Sequence, residues 1–561
     1  MLRRLLVLAL AAVPPLAASQ PAVAADPIMP LADVHAGMRC TALSVVRGTQ
    51  ISSFDVEVID VLSAEPPLTG PRILVRVSGP AVDATGVGPG FSGSPVYCPD
   101  AAGTRRNAGA ISEGLGEYGN HVALVTPIEE ILSDRPAPAP AGARPAGRIA
   151  SSARPLAGPL TVSGVGSRMM RLLSTAAHRA GRPLLAAPSG PAGGFPPQDL
   201  RPGAAVAASI SEGDVALGAI GTVSYRDGDA VYAFGHPLDL LGRRALFLQD
   251  AYVFTVIANP LGVPDLGAVS YKLTSSGGHT QGTVTTDADA AISGTVGAGP
   301  PSVPLRVVAR GTGGRIQVLD ARLADERAYG LGLGLSTVAP LAAGTAIERL
   351  QRSLAPMTMA MCVRFALRGR DRPLGFCNHY FFPDQALFEL SEAAGLVDAY
   401  DLPPVPLSGA EVRMRVTPGL KDDVILRASA PRRVTRGERI PVRLSLHRRR
   451  GEARTLLVHV RVPRSLRPGR HRLVIAGSGD GASGAFAEEL TDELGIIFDL
   501  GDTPREPRTL RELAARLRSF HQPQGIEARF HRRGGGALVF RSDEVLFEGR
   551  ARIPLIVSRR R

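Results

Sequence analysis

The stretch A219-IGTVSYRDGDAVYAFGHP-237 decides how the chain is read. Ile220 to Tyr225 alternates apolar and polar side chains, Asp227-Gly228 supplies the left-handed turn residues of a tight hairpin, and Ala230 to Phe234 is the returning strand. Gly235-His236-Pro237 then falls at a strand end, where a histidine can be displayed. Working outward, residues 156–338 read as one mostly-β unit around this hairpin. Upstream, T41-ALSVVRGTQISSFDVEVIDVL-62 alternates apolar and polar side chains at Phe54, Val56, Val58 and Val61, with Arg47-Gly48 as a turn between two runs, which predicts a second hairpin. ILVRVSG follows as a strand, then G88-PGFSGSPVY-97. HVALVTPIEEIL ends its strand at Thr126-Pro127 and starts a short helix there. Residues 28–133 therefore form a first β unit. A Pro/Ala/Gly/Arg stretch without apolar periodicity, 134–155, is expected to be a linker.

Residues 339–402 show helical patterning on both sides of a hairpin that carries Cys362 and Cys377. Short alternating runs in 403–481 have the spacing of an Ig-like β-sandwich, and 482–561 reads as a small α/β region with one amphipathic helix, TLRELAARLRSF. The expected fold class is thus mainly β with α segments: two β units, then a helical segment, a β-sandwich and a small α/β tail.

Residues 1–25 have two arginines, a short apolar run and a small-residue end, the layout of a secretory signal peptide. No later run of about 18 apolar residues predicts a membrane anchor. The expected location is secreted or extracytoplasmic, in a bacterial envelope or periplasm. The 561-residue chain carries a formal charge of +13, but only Lys272 and Lys421 are lysines. The excess is arginine in short runs such as Arg448-Arg449-Arg450 and Arg559-Arg560-Arg561, without interleaved aromatics, so it reads as a coding bias and not as a nucleic-acid surface. Four cysteines in an exported chain favour disulfides. Three pairings are possible, and proximity suggests Cys40 with Cys98 and Cys362 with Cys377. Cys377-Asn378-His379 is the only near approach to zinc spacing, and the histidines form no metal-binding helix motif, so no metal and no cofactor is expected. GLGLGLS, 330–336, lacks the setting of a dinucleotide loop and reads as a buried strand or turn.

The 88–97 loop has the residues a nucleophile needs. A serine hydroxyl requires a base for its proton and donors for an oxyanion. If Ser92 attacks, the amides of Gly90 and Ser92 can turn toward the oxyanion, while Gly93 clears bulk beside the scissile bond. Ser94, followed at once by Pro95, is the weaker candidate. His236 is the candidate base.

GFSGSPVY, GTQISSFDVEVIDVL and IGTVSYRDGDAVYAFGHP together resemble the serine peptidase family typified by stage IV sporulation protein B (SpoIVB). That family has a Gly-Met-Ser-Gly-Ser-Pro nucleophile loop and a histidine in an Ala-(Phe/Leu)-Gly-His motif. The resemblance covers about residues 30–133 and 200–310, and implies Ser92 as nucleophile, with Phe91 in place of Met, and His236 as base. It departs in three ways. The serine half precedes the histidine half here. The family's Asp-Pro pair is replaced by Gly79-Pro80, so Asp83 is the nearest acid, with Asp55, Asp239 and Asp287 as others. No PDZ-like segment comes first. The resemblance implies a two-barrel, chymotrypsin-like region with the site in the cleft between the barrels, and a serine endopeptidase acting on polypeptides through a Ser-His pair, with self-cleavage at the linker compatible with it. The alternative is a non-catalytic envelope or extracellular scaffold on the same fold, meeting envelope partners through its C-terminal domains.

Overall fold

The computed structural model describes residues 25–558 except 134, 136, 138, 141, 157–159, 180–183, 187–193, 262–268, 332–333, 352–356, 401–406, 449–450, 479–506, 521–523, 531–536 and 543. The expected signal segment, apart from Ala25, lies outside the described residues, as does the Arg559–Arg561 run.

The first unit closes as a six-stranded barrel. Its strands are β1 (Arg39–Arg47), β2 (Gln50–Ser63), β3 (Arg72–Ser78), β4 (Pro95–Pro99), β5 (Arg105–Gly114) and β6 (Val122–Pro127). They are ordered β1-β4-β5-β6-β3-β2, and the β1–β2 hairpin completes the ring. The alternation in β2 does what its period demands: Phe54, Val56 and Val58 are buried while Asp55 and Glu57 face out. Cys40 and Cys98 join β1 to β4 by a disulfide.

Between residues 205 and 296 the second unit has, among the described residues, eight strands in chain order: β7 (Ala205–Gly213), β8 (Ala216–Asp227), β9 (Ala230–Ala233), β10 (Gly242–Asp250), β11 (Val253–Ile257), β12 (Tyr271–Thr274), β13 (Thr280–Asp287) and β14 (Ile292–Val296). Six of them close a second barrel in the order β8-β9-β14-β13-β10-β7, with β7 pairing β8. Asp227 faces Ala230 across the turn, and Gly228 takes φ 56°. The remaining two, β11 and β12, form a separate hairpin that reaches the first barrel. There, the Val253 and Gly48 amides and carbonyls bond each other, and the Lys272 amide donates to Pro89 O. Two closed barrels in sequence are the architecture of a two-barrel, chymotrypsin-like region, followed here by further sheets.

Three expected boundaries are corrected. The 134–155 stretch is not a free linker: Arg144–Pro145 pairs with Leu62–Ser63, Arg154–Pro155 pairs with Glu113–Gly114, and Ala146, Ala150 and Ala153 are buried against Leu62, Leu74 and Leu124. Small apolar side chains let the chain lie flush on the barrel, a fit that leaves no periodic signature. The 339–402 segment is not a separate unit. The second barrel's sheet runs on from β7 through Ile316–Ala324, Ser302–Arg310, Leu407–Pro418, Met357–Leu367 and Leu374–Tyr380, and helices Gly334–Gln351 and Pro383–Asp398 share a core with these strands. Gly334 to Ser336 accordingly open a helix, not a strand or turn. The Cys362–Cys377 disulfide links neighbouring strands of this sheet, so Cys377 is not a metal ligand.

The 482–561 tail is not independent either. Its helix, Leu510–Ser519, is capped by Thr509, whose side chain accepts from the Glu512 amide, and buries Leu513 and Leu517 in the helix-covered sheet's core. Its strands Gly525–Arg529, Ala537–Arg541, Leu546–Glu548 and Arg550–Ser558 belong to the sandwich that starts at Asp422. Among the described residues, no helix is long and apolar enough to cross a membrane.

Candidate functional site

The loop between β3 and β4 is set where the two barrels meet. Gly90 and Gly93 take φ +94° and +89°, a region that L side chains rarely enter. A Cβ on Gly93 would lie 2.0 Å from Thr222 O and 2.6 Å from Phe234 N. Gly93 is therefore required for close approach of the second barrel, which corrects the expectation that it clears space beside a scissile bond. Backbone bonds fix the loop on both sides: Gly93 N donates to Ile111 O at 2.7 Å, Ile111 N to Ser94 O at 2.9 Å, and Thr222 N to Ser92 O at 2.8 Å. Phe91 is fully buried, edge-on to Phe54.

His236 arrives from the other barrel. Phe234 and Gly235 after β9 both have positive φ, 75° and 69°. The Gly235 carbonyl accepts from Thr126 Oγ1 at 2.8 Å, and a Cβ on Gly235 would stand 3.2 Å from Ile111 O. Thus the serine and histidine loops pack on the same carbonyl of β5. Beyond His236, the buried carboxylate of Asp287 accepts the amides of Leu238, Asp239 and Leu241 at 2.7, 2.8 and 3.2 Å. Asp287 shapes the loop that carries the histidine, and does not bond its ring.

The ring has no carboxylate partner. His236 Nδ1 lies 2.7 Å from Pro237 O, and because a carbonyl only accepts, Nδ1 carries the hydrogen. Nε2 is left with its lone pair. Burial holds the imidazole below its usual pKa, outweighing the Pro237 carbonyl, Glu113, Asp287 and the Leu156 carbonyl, which act the other way. The acid suggested from sequence, Asp83, is corrected: it is exposed and accepts from its own turn, Gly79 N at 2.6 Å. Asp55 is exposed as well, and Asp239 faces Arg244 at 3.5 Å.

Ser92 and His236 are 0 % and 1 % exposed, and neither Ser92 Oγ nor His236 Nε2 has a hydrogen-bond partner. The structure brings the two side chains to one junction without joining them. The Gly90 and Ser92 amides donate to no acceptor among the described residues. Ser94 is different: its hydroxyl donates to Phe91 O at 2.7 Å and lies 2.9 Å from Ser44 Oγ, so it is tied into the loop.

Sequence reading passed over Lys272. From β12, its amine reaches Ser44 Oγ at 2.7 Å and Thr222 Oγ1 at 3.2 Å, and stands 4.5 Å above the Phe91 ring. Burial pushes it down to about 7. The available signal was its identity. The chain's 64 basic residues include only two lysines, and Lys272 is the buried one of the pair, whereas Lys421 lies at the surface.

Fold and junction together define a two-barrel protein with a buried serine and a neutral histidine where the barrels meet. Comparison of the chain with protein-family models, curated proteins and solved structures finds no match.

Proposed function

We propose that the two-barrel region is an extracytoplasmic serine endopeptidase of SpoIVB type. His236 Nε2 takes the proton of Ser92, Oγ attacks a peptide carbonyl, and the Gly90 and Ser92 amides receive the oxyanion. Protonated His236 then gives its proton to the leaving amine, and water, deprotonated by the same nitrogen, releases the acyl group and restores Ser92. Pro237 O fills the place an orienting acid would take, since it fixes the tautomer that leaves Nε2 basic.

One observation carries this reading. Two buried polar atoms of complementary chemistry, a hydroxyl and an imidazole nitrogen, stand unpartnered on loops packed against one carbonyl. Leaving such a group unsatisfied costs about 1–3 kcal/mol. Other buried hydroxyls such as those of Ser209 and Ser224 are also unpartnered, and what sets this pair apart is that a hydroxyl and a basic nitrogen share one junction. The substrate class is a polypeptide, which enters after the covering segments part.

The same burial favours the second reading, a binding or scaffold protein on this fold, because the pair is closed to solvent and unbonded. Labelling with a fluorophosphonate separates the two. In an endopeptidase, wild type is labelled, Ser92→Ala and His236→Ala are not, and Ser94→Ala, although loosened, is. A folded wild type that resists the probe, with and without added polypeptide, makes the scaffold reading the better one.

A further inference from the structure

The junction contains a second set of buried polar groups that the Ser-His chemistry leaves unused. Lys272 Nζ, Ser44 Oγ, Thr222 Oγ1 and Ser94 Oγ form one connected cluster beneath the 88–94 loop. Lys272 donates to Ser44 and Thr222, Ser94 lies 2.9 Å from Ser44, and Thr222 Oγ1 donates to Gly90 O at 3.1 Å. These groups come from four places: Ser44 from β1, Ser94 from the loop itself, Thr222 from β8 and Lys272 from the β11–β12 hairpin. Among the described residues no carboxylate pairs with the amine. Its surroundings are two hydroxyl oxygens that accept from it and the face of Phe91, an arrangement that suits a compact amine better than a planar guanidinium fork.

The lysine stem also fits the loop. A Cβ on Gly90 would come within 3.0 Å of Lys272 Cβ, and the Lys272 amide donates to Pro89 O at 2.9 Å. The residues on either side of the Gly90 amide thus rest on Lys272, by stem, backbone and, through Thr222, amine.

We propose that Lys272 is the positioning residue of the oxyanion loop, clamping Ser44 and Thr222 so that the Gly90 and Ser92 amides are held toward the reacting carbonyl. It does not touch the substrate. The clamp rests on the peptidase reading above, and gives the lysine a task apart from that of His236: the histidine moves the proton, and the lysine sets the donors. Burial without a counter-charge is the cost of placing donors there, and the depressed pKa of the amine reflects it.

The test uses the full mature chain and a fluorophosphonate, with the maximal inactivation rate, the probe's KI and the fraction of molecules labelled read separately. Lys272→Met keeps the stem and removes the donors. Its inactivation rate is expected to fall roughly 10- to 100-fold, as for a misplaced catalytic group, with KI and the labelled fraction unchanged. A merely structural loss would lower the labelled fraction and spare the rate. Ser44→Ala should slow the reaction in the same sense, and the combined variant should be no slower than Lys272→Met alone, because the two act in one chain. A folded Lys272→Met that inactivates at the wild-type rate overturns the proposal. Should that variant fail to fold, Ser44→Ala and Thr222→Val take its place, and wild-type rates in both overturn it equally. An unlabelled wild type is a separate result: it removes the peptidase reading itself, and the clamp with it.

Discussion

Asp423 and Lys272 are both buried, and they show how differently the sandwich and the barrel junction use polar groups. In the sandwich, Asp423 is fully covered but meets Arg448 at 3.1 Å and also contacts Arg454, so its charge is answered by two guanidinium groups reaching in from the surface. At the junction, among the described residues, the Lys272 amine meets two hydroxyls and a ring with no carboxylate, and the Ser92 hydroxyl and His236 Nε2 have no hydrogen-bond partner. The first pattern is what stability alone produces. The second leaves polar groups uncompensated, as at some other buried positions such as Ser209 Oγ and Ser224 Oγ, but here a hydroxyl and an imidazole nitrogen stand on loops packed against one carbonyl.

The sharpest way to break this contrast is Gly93→Ala. Its φ of +89° and the 2.0 Å approach to Thr222 O leave no room for a methyl group, so the variant should lose about 3 kcal/mol or more, or fail to accumulate folded. Thermal unfolding measures it, and a near-normal midpoint would mean the barrels do not meet there.

Next comes the pH dependence of stability. The Lys272 amine is lowered from its ordinary 10.5 to about 7, with burial as the cause. Unfolding therefore takes up a proton between about pH 7 and 10.5, and wild-type stability from this group rises with pH across that window. Denaturant titrations at several pH values should show this rise in wild type and its absence in Lys272→Met.

Asp423→Asn tests the sandwich. Both arginine partners are partly in water, at 38 % and 43 % exposure, so screening reduces the loss to about 1–2 kcal/mol. The smallest effect has the opposite sign. Ser92→Ala removes an unpartnered buried hydroxyl and should raise stability by about 1 kcal/mol, whereas a clear loss would show that the hydroxyl has a partner in solution.

Much of the fold was legible because its signals are local. The Asp227-Gly228 turn, the Arg47-Gly48 turn and the strict alternation of Phe54, Val56 and Val58 each specify a hairpin within about 20 residues. The serine and histidine loops were legible from glycines at positions that need positive φ. The fate of 134–155 was not, because alanines and prolines that pack flat on a barrel look like a linker in one dimension. Nor was the tail, whose strands complete sheets begun about 100 residues earlier.

The sequence by itself determined the two hairpin-containing β units, the four cysteines and the two loops with catalytic residue types, since turn chemistry and side-chain period act between neighbours. Only the tertiary structure decided that Asp83 serves its own turn, that Pro237 O orients His236, and that Lys272 lies beneath Gly90. The first two are contacts within a few residues along the chain, whereas the third depends on which buried groups meet across the barrel junction. A group's burial, its partners and hence its ionisation are set by atoms more than a hundred residues away in the chain.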